Sequence, residues 1–297
     1  MNMEKILKDD RLSRAVTGMS KREIDVLKIS FKKALDRRKK NKDTKRKRAE
    51  GGGRIGYIKS DIAKLIFILM YVKIYPTYDV LSALIGMDRA QCCRWTHILL
   101  PALEEALNYQ VTLPDRKIAS MDEFKRQYPN LQDVFIDGME RPIQRKGTPK
   151  SQRKHYSGKK KQETRKNIVL TDENRQILCL SNTKRGRRHD KRLSDNIGLQ
   201  HLPEDVTLWA DTGFAGTQHI HSQTMMPKKK RKNKPLTQEI KSENQTISGV
   251  RILVEHAISG LKRMGSVSGK YRNTTPNFDD SLTLVSAGLW NLHLRLT

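Results

Sequence analysis

Only three cysteines, Cys92, Cys93 and Cys179, occur in 297 residues, and none forms a C-x-x-C pair. A disulfide framework and a structural zinc site of the usual spacing are thereby excluded, and the thiols fit a reducing, intracellular setting. Long apolar runs are missing too. The most apolar stretch, residues 62–75, is shorter than the roughly 20 residues that span a bilayer and carries Lys64 and Lys73, so a core helix is expected and no membrane partner. The first residues, Met1-Asn2-Met3-Glu4-Lys5, lack an apolar signal region, which argues against secretion. Apolar residues make up 36% of the chain and charged ones 31%, so solvated arms are expected beside the packed parts. Acidic residues are scarce: 32 Asp and Glu stand against 59 Lys and Arg, a formal net charge of +27. That much like charge repels itself unless a polyanion is present, and nucleic acid is the natural candidate. One basic run is ordinarily a solvated face; here there are four, at residues 37–48, 145–166, 184–192 and 228–234.

The length gives room for one large domain and a smaller one, or for two medium ones. Residues 20–40 have helical spacing at Ile24, Leu27, Phe31 and Leu35 behind a Ser20/Glu23 capping box, which suggests a helical arm or a dimer contact. Nine basic residues among the twelve from Arg37 to Arg48, followed by Gly51-Gly52-Gly53, suggest a phosphate-seeking linker. A nuclear-import signal is the alternative. A helix over 60–75, a second capped by Thr77 and running through Ile85, a turn at Gly86 and a third, capped by Asp88, from Arg89 through about Leu99 form a helix-turn-helix pattern. Leu81, Leu84 and Ile85 would point inward, and Arg89, Gln91 and Arg94 would face a DNA major groove, with Trp95 nearby. An ordinary three-helix packing unit would look similar. Pro101 suits the first turn of another helix through about Tyr109.

From Leu131 the pattern becomes α/β. Strands are predicted at 132–137, 166–171, 176–181 and 206–211, with helix near 189–200 and from about 236 to 264, broken near Gly249. This order is compatible with a ribonuclease-H-like core, a mixed sheet flanked by helices, preceded by an all-α domain. The expected boundaries are 1–53 for the arm and linker, 54–112 for the helix-turn-helix domain and 113–297 for the α/β domain.

Asp137 closes the apolar run Val134-Phe135-Ile136, and Asp211 closes Val206-Thr207-Leu208-Trp209-Ala210. Glu255 flanks the helical series Val250, Val254, Ala257 and Leu261. Two strand-end aspartates and a helical glutamate offer the oxygen ligands that hard divalent ions want, although such acids are also common without any catalytic role. Asp133 shares strand parity with Asp137 but sits at the strand's beginning, and Asp205 precedes its strand; both are poorer candidates. His219 and His221 lack a third ligand and are expected to be surface groups.

Several motifs in order carry a resemblance: Asp137-Gly138-Met139-Glu140; Tyr156-Ser157-Gly158-Lys159-Lys160-Lys161; Gly186 with His189-Asp190; Asp211-Thr212-Gly213-Phe214-Ala215-Gly216; and Arg251-Ile252-Leu253-Val254-Glu255. Residues 130–295 resemble the DDE superfamily transposases, within them the insertion-sequence enzymes related to the Harbinger nucleases, and residues 54–108 resemble the helix-turn-helix this subgroup carries. Met139 and Glu163 depart from the usual Thr and His.

The resemblance implies that Asp137, Asp211 and Glu255 hold two Mg2+ or Mn2+ ions for strand cleavage and strand transfer on double-stranded DNA. It also implies a dimer or larger assembly that brings two element ends together, and a prokaryotic cytoplasm, on the nucleoid, as the setting. Lys159, Lys160 and Lys161 would grip phosphates beside the acids, with Tyr156 able to stack or hydrogen-bond, unless these residues only line a solvated loop. Arg251, one turn before Glu255, would orient that carboxylate, reach a phosphate or form a structural ion pair. Lys262 further along is a DNA-contact candidate. Glu140, His189 and Asp190 are accessory candidates, with a helix-start cap as the ordinary role of Asp190. Two other functions satisfy part of this pattern: a DNA-binding repressor derived from a transposase with a dead nuclease core, and a basic RNA-binding protein.

Overall fold

A computed structural model describes residues 3–40, 56–230 and 236–297. The basic run from residue 41 to 48, Gly51-Gly52-Gly53 and residues 231–234 lie outside the described residues. The chain divides into two compact units: Met1–Leu113 with Lys262–Gly269 and Thr275–Thr297, and Pro114–Leu261 with Lys270–Thr274.

In the helical unit, α1 (Asp10–Thr17) leads into α2 (Lys21–Lys40). The expected capping box forms: the Ser20 N–H donates to the Glu23 carboxylate, and the Glu23 N–H donates to the Ser20 hydroxyl at 3.3 Å. Ile24, Leu27, Phe31 and Leu35 are buried as their spacing predicts. They pack α2 against α3 (Asp61–Ile74) and α5 (Arg89–Tyr109), so the stretch expected to be a separate arm belongs to this unit's core. The apolar run 65–70 of α3 is wholly buried, and no helix among the described residues is long and apolar enough to cross a membrane.

Thr77 caps α4 (Tyr78–Ile85), and the Asp88 carboxylate accepts the Ala90 N–H at 2.8 Å to start α5. Leu81 and Ile85 face inward, whereas Leu84, expected inside, is 43% exposed. Helix α5 does not end near Leu99. It runs through Pro101, although proline deletes one backbone hydrogen bond at a cost of about 3 kcal/mol. Leu99, Leu100, Leu103, Ala106 and Leu107 are buried along this helix, and that apolar face keeps it continuous.

The second unit opens with α6 (Met121–Gln127) and then β1 (Asp133–Pro142). It continues through α7 (Pro149–His155), β2 (Tyr156–Ser157), β3 (Gln162–Thr171), β4 (Ile177–Leu180) and β5 (Lys184–Arg185). After these come α8 (Asp190–Ser194), β6 (Thr207–Ala210), β7 (Thr224–Met225), α9 (Gln238–Val250) and α10 (Ile252–Lys262). β4, β3 and β1 pair antiparallel, while β6 lies parallel to β1 and β7 parallel to β6. This is the mixed order β4-β3-β1-β6-β7 expected of a ribonuclease-H-like core. Val134, Ile136, Ile168, Leu170, Leu193 and Phe214 join the apolar core on one face of the sheet.

Three expectations are corrected here. β1 does not stop at Asp137: its second half pairs with β3 as far as Pro142, with Met139 and Arg141 buried in alternation, so Gly138 is a strand residue and not a turn. The helix predicted over 189–200 ends at Ser194 and is followed by a 3-10 turn at Leu199–His201. His221 is buried, its ring nitrogen 2.7 Å from the Val206 carbonyl, instead of lying at the surface. The break expected near Gly249 is present, at Arg251 between α9 and α10.

After α10 the chain rejoins the helical unit through α11 (Gly265–Ser268) and α12 (Phe278–Leu296). Leu282, Val285, Leu289 and Leu292 of α12 are buried, and this helix packs on α5. The compact sheet unit is therefore smaller than the 113–297 span read from the sequence.

Candidate active site

The pairing of β1 with β6 sets Ile136 opposite Ala210, so the residues that follow, Asp137 and Asp211, stand side by side. Neighbouring strands lie about 4.8 Å apart, which brings two carboxylates within reach of one ion. The Gly138 N–H donates to Asp137 Oδ1 at 2.7 Å, and the Thr212 N–H donates to Asp211 Oδ1 at 2.6 Å, where Asp211 caps a 3-10 turn. These bonds fix the carboxylates as acceptors.

A cation already spans the pair. One guanidinium nitrogen of Arg251 lies 3.8 Å from Asp137 Oδ2 and the other terminal nitrogen 3.9 Å from Asp211 Oδ1. Burial pushes the Asp137 carboxyl above its ordinary value, and the Asp211 charge adds to that. The Gly138 N–H and the charges of Arg251 and Lys159 pull the other way without cancelling it. Two carboxylates thus converge on one guanidinium, and carboxylate oxygens are the donor type that hard divalent cations take.

A second charged group is built around Lys166. Its ammonium lies 3.2 Å from Glu140 Oε1 and 3.0 Å from Asp190 Oδ1. Burial works against the charged ammonium, and Asp190 and Glu140 override it, holding the Lys166 pKa above its ordinary value. At Glu140 burial opposes the charge, but Ser157, Thr164 and Lys166 keep the carboxyl below its ordinary range. The Thr164 hydroxyl donates to Glu140 Oε2 at 2.7 Å. Sequence reading passed over Lys166, whose signal was a lysine at the start of the apolar segment of β3.

The remaining candidates are placed as follows. Glu255 is exposed on α10, one turn after Arg251, while Val254, Ala257 and Leu261 are buried. Among the described residues no three of His, Cys, Asp and Glu are grouped to hold one metal ion, so the structure brings together Asp137, Asp211 and Arg251 without Glu255. Tyr156 and Lys159, Lys160 and Lys161 are exposed at the turn from β2 to β3. In the helical unit Arg89, Gln91 and Arg94 are exposed on α5, and Lys262 is half-buried in that unit. His189 is exposed and occupies the cap position of α8 without a side-chain bond. Asp190 is thus the first helical residue and not the cap; its carboxylate is spent on Lys166. Asp205 pairs with Lys125 at 3.6 Å on the surface.

Comparison with known proteins places these features in a group. Residues 136–291 match a family described as DDE superfamily endonuclease, and residues 63–108 match one described as helix-turn-helix of DDE superfamily endonuclease. The chain is 32% identical over 234 residues to the "Probable transposase for insertion sequence element IS702" of Microchaete diplosiphon, covering 78% of this chain and 80% of that protein. No solved structure matches the chain.

Proposed function

The chain belongs to the DDE superfamily endonucleases and carries their helix-turn-helix DNA-binding domain, and on that premise we propose that it is the transposase of an insertion element, in the branch related to the Harbinger nucleases. It binds the terminal inverted repeats of its element as a dimer or larger assembly, cuts at the element ends and joins the freed 3′-hydroxyl to target DNA. Its setting is the nucleoid in a prokaryotic cytoplasm.

The single observation carrying this reading is the side-by-side placement of Asp137 and Asp211 with a cation between them. Asp137 and Asp211, with Glu255 as third carboxylate, would hold two Mg2+ or Mn2+ ions. When bound, such a pair activates the attacking oxygen and stabilises the departing one in an in-line phosphoryl transfer. The protein's own part is positional. β1 and β6 fix the two aspartates, and the Gly138 and Thr212 N–H groups orient their oxygens. Lys159, Lys160 and Lys161 take the adjoining phosphates, with Tyr156 beside them to stack or hydrogen-bond. Arg89, Gln91 and Arg94 present donors to the major groove, and Lys262 contacts the backbone. His189 lies near the departing strand.

The test is cleavage of duplex DNA carrying the element's terminal repeats in Mg2+ by the full chain and by Asp211→Asn. Cleavage by the native chain, abolished in the variant, is expected; equal cleavage by both rules the reading out. The exposed position of Glu255 favours one alternative, a DNA-binding derivative without nuclease activity, and the same assay separates the two: binding of the repeats with no cleavage under any divalent ion.

A further inference from the structure

We infer that Asp190, held by the Lys166 ammonium that also pairs with Glu140, is a positioning residue that sets the spacing of Asp137 and Asp211. This inference rests on the reading above. Asp190 starts α8, Lys166 lies on β3 and Glu140 on β1, so one network ties three elements. Lys166 and Glu140 are directly paired across β1 and β3, with side chains only 9% and 5% exposed. Removing one member of such a buried set leaves an uncompensated charge.

The network touches both halves of the site. A Cβ on Gly138 would fall 2.7 Å from Asp190 Oδ1, and one on Gly213 would fall 3.3 Å from Asp190 Oδ2. The same carboxylate therefore lies against the backbone one residue after Asp137 and two residues after Asp211, and glycine at both positions makes that approach possible. Successive strand residues point to opposite faces, so Gly138 and Glu140 share the face that Asp137 leaves. Asp190 supports the strand from behind, with its Oδ1 3.0 Å from the Lys166 ammonium. Its rotation or loss would free both aspartate-bearing segments at once.

The experiment compares the full chain with Asp190→Asn, Lys166→Met, the double variant and Gly213→Ala. Turnover and KM are measured on terminal-repeat DNA in Mg2+, Mn2+ binding by electron paramagnetic resonance, and folding by thermal midpoint. Groups that orient a metal's carboxylates typically matter by about 10–100-fold. Asp190→Asn and Lys166→Met are each expected to lower kcat and Mn2+ affinity by about that factor with KM unchanged, and the double variant to lose no more than the worse single one. Gly213→Ala, which only nudges Asp190, is expected to lower kcat with the fold intact, and it decides the matter should the other variants not fold. Kinetics and Mn2+ binding of Asp190→Asn or Gly213→Ala within about threefold of the native chain overturn the inference, since orienting partners carry more than that. So do losses that are additive or that follow the thermal midpoint. Absence of cleavage by the native chain defeats the functional reading instead, and the Mn2+ titration then still decides whether Asp190 positions the pair.

Discussion

The indole N–H of Trp209 donates to the carboxylate of Asp133 at 2.6 Å, across the strands β6 and β1. Asp133 and Thr207 form the first rung of that pairing, and the register started there carries Asp137 and Asp211 to the same level. Asp133 is therefore a structural acid. Asp133→Ala strands a partly buried indole donor, which costs on the order of 1–3 kcal/mol. A lower thermal midpoint is expected with metal-dependent cleavage at permissive temperature retained; loss of turnover at full stability would instead place Asp133 in the chemistry.

Arg251 occupies the place of a cation between Asp137 and Asp211. Unit charges about 4 Å apart interact by about 4 kcal/mol at an effective dielectric of about 20. A divalent ion must displace or tolerate that guanidinium. Arg251→Met is accordingly expected to tighten Mn2+ binding roughly tenfold at pH 8, a conservative share of that energy. Calorimetric titration without DNA checks it, and weaker or unchanged binding would show that Arg251 does not compete with the ion.

The three lysines Lys159, Lys160 and Lys161 are exposed at the turn between β2 and β3, and the charge of Lys159 acts on Asp137. Replacing all three by Gln is expected to weaken DNA binding irrespective of sequence and to flatten the plot of log K against log salt by about 2–3 units, because each phosphate contact contributes about 0.9. An unchanged salt slope would leave these lysines without phosphate contacts.

Asp172 closes the turn after β3, accepting the Gln176 N–H at 2.7 Å. Burial pushes its carboxyl from 3.8 up to about 6, against the pull of the Gln176 N–H. A folded value above the unfolded one means that the protonated form favours folding. That stability is full below pH 3.8 and is lost as pH rises through about 6. At pH 8 the loss approaches roughly 3 kcal/mol, at 1.36 kcal/mol per unit. Asp172→Asn is expected to raise the thermal midpoint at pH 8 and to leave it nearly unchanged at pH 4; equal shifts at both pH values would refute this.

What could be read from the sequence was what local rules decide. The Ser20/Glu23 capping box, the caps at Thr77 and Asp88 and the interruption beside Gly249 all depend on neighbours within a few residues. The two aspartates were visible because each follows an apolar run that a sheet must bury. Long-range partnerships were not visible. Pro101 looked like a helix start because the packing that carries α5 through it comes from α2 and α12. Asp190 looked like a cap because Lys166, its partner, is 24 positions earlier in the chain and marked only by one charge beside apolar residues. Glu255 was legible as a helix-flank acid, and periodicity alone does not say which neighbours such an acid meets.

The return of residues 262–269 and 275–297 to the helical unit has a genetic corollary. A premature stop codon shortly before Phe278 deletes α12, the helix lying against α5, and so strikes the part of the product that carries the DNA-reading helices. Decayed copies of this gene that lack only their 3′ end are expected to lose sequence recognition before they lose the strands bearing Asp137 and Asp211.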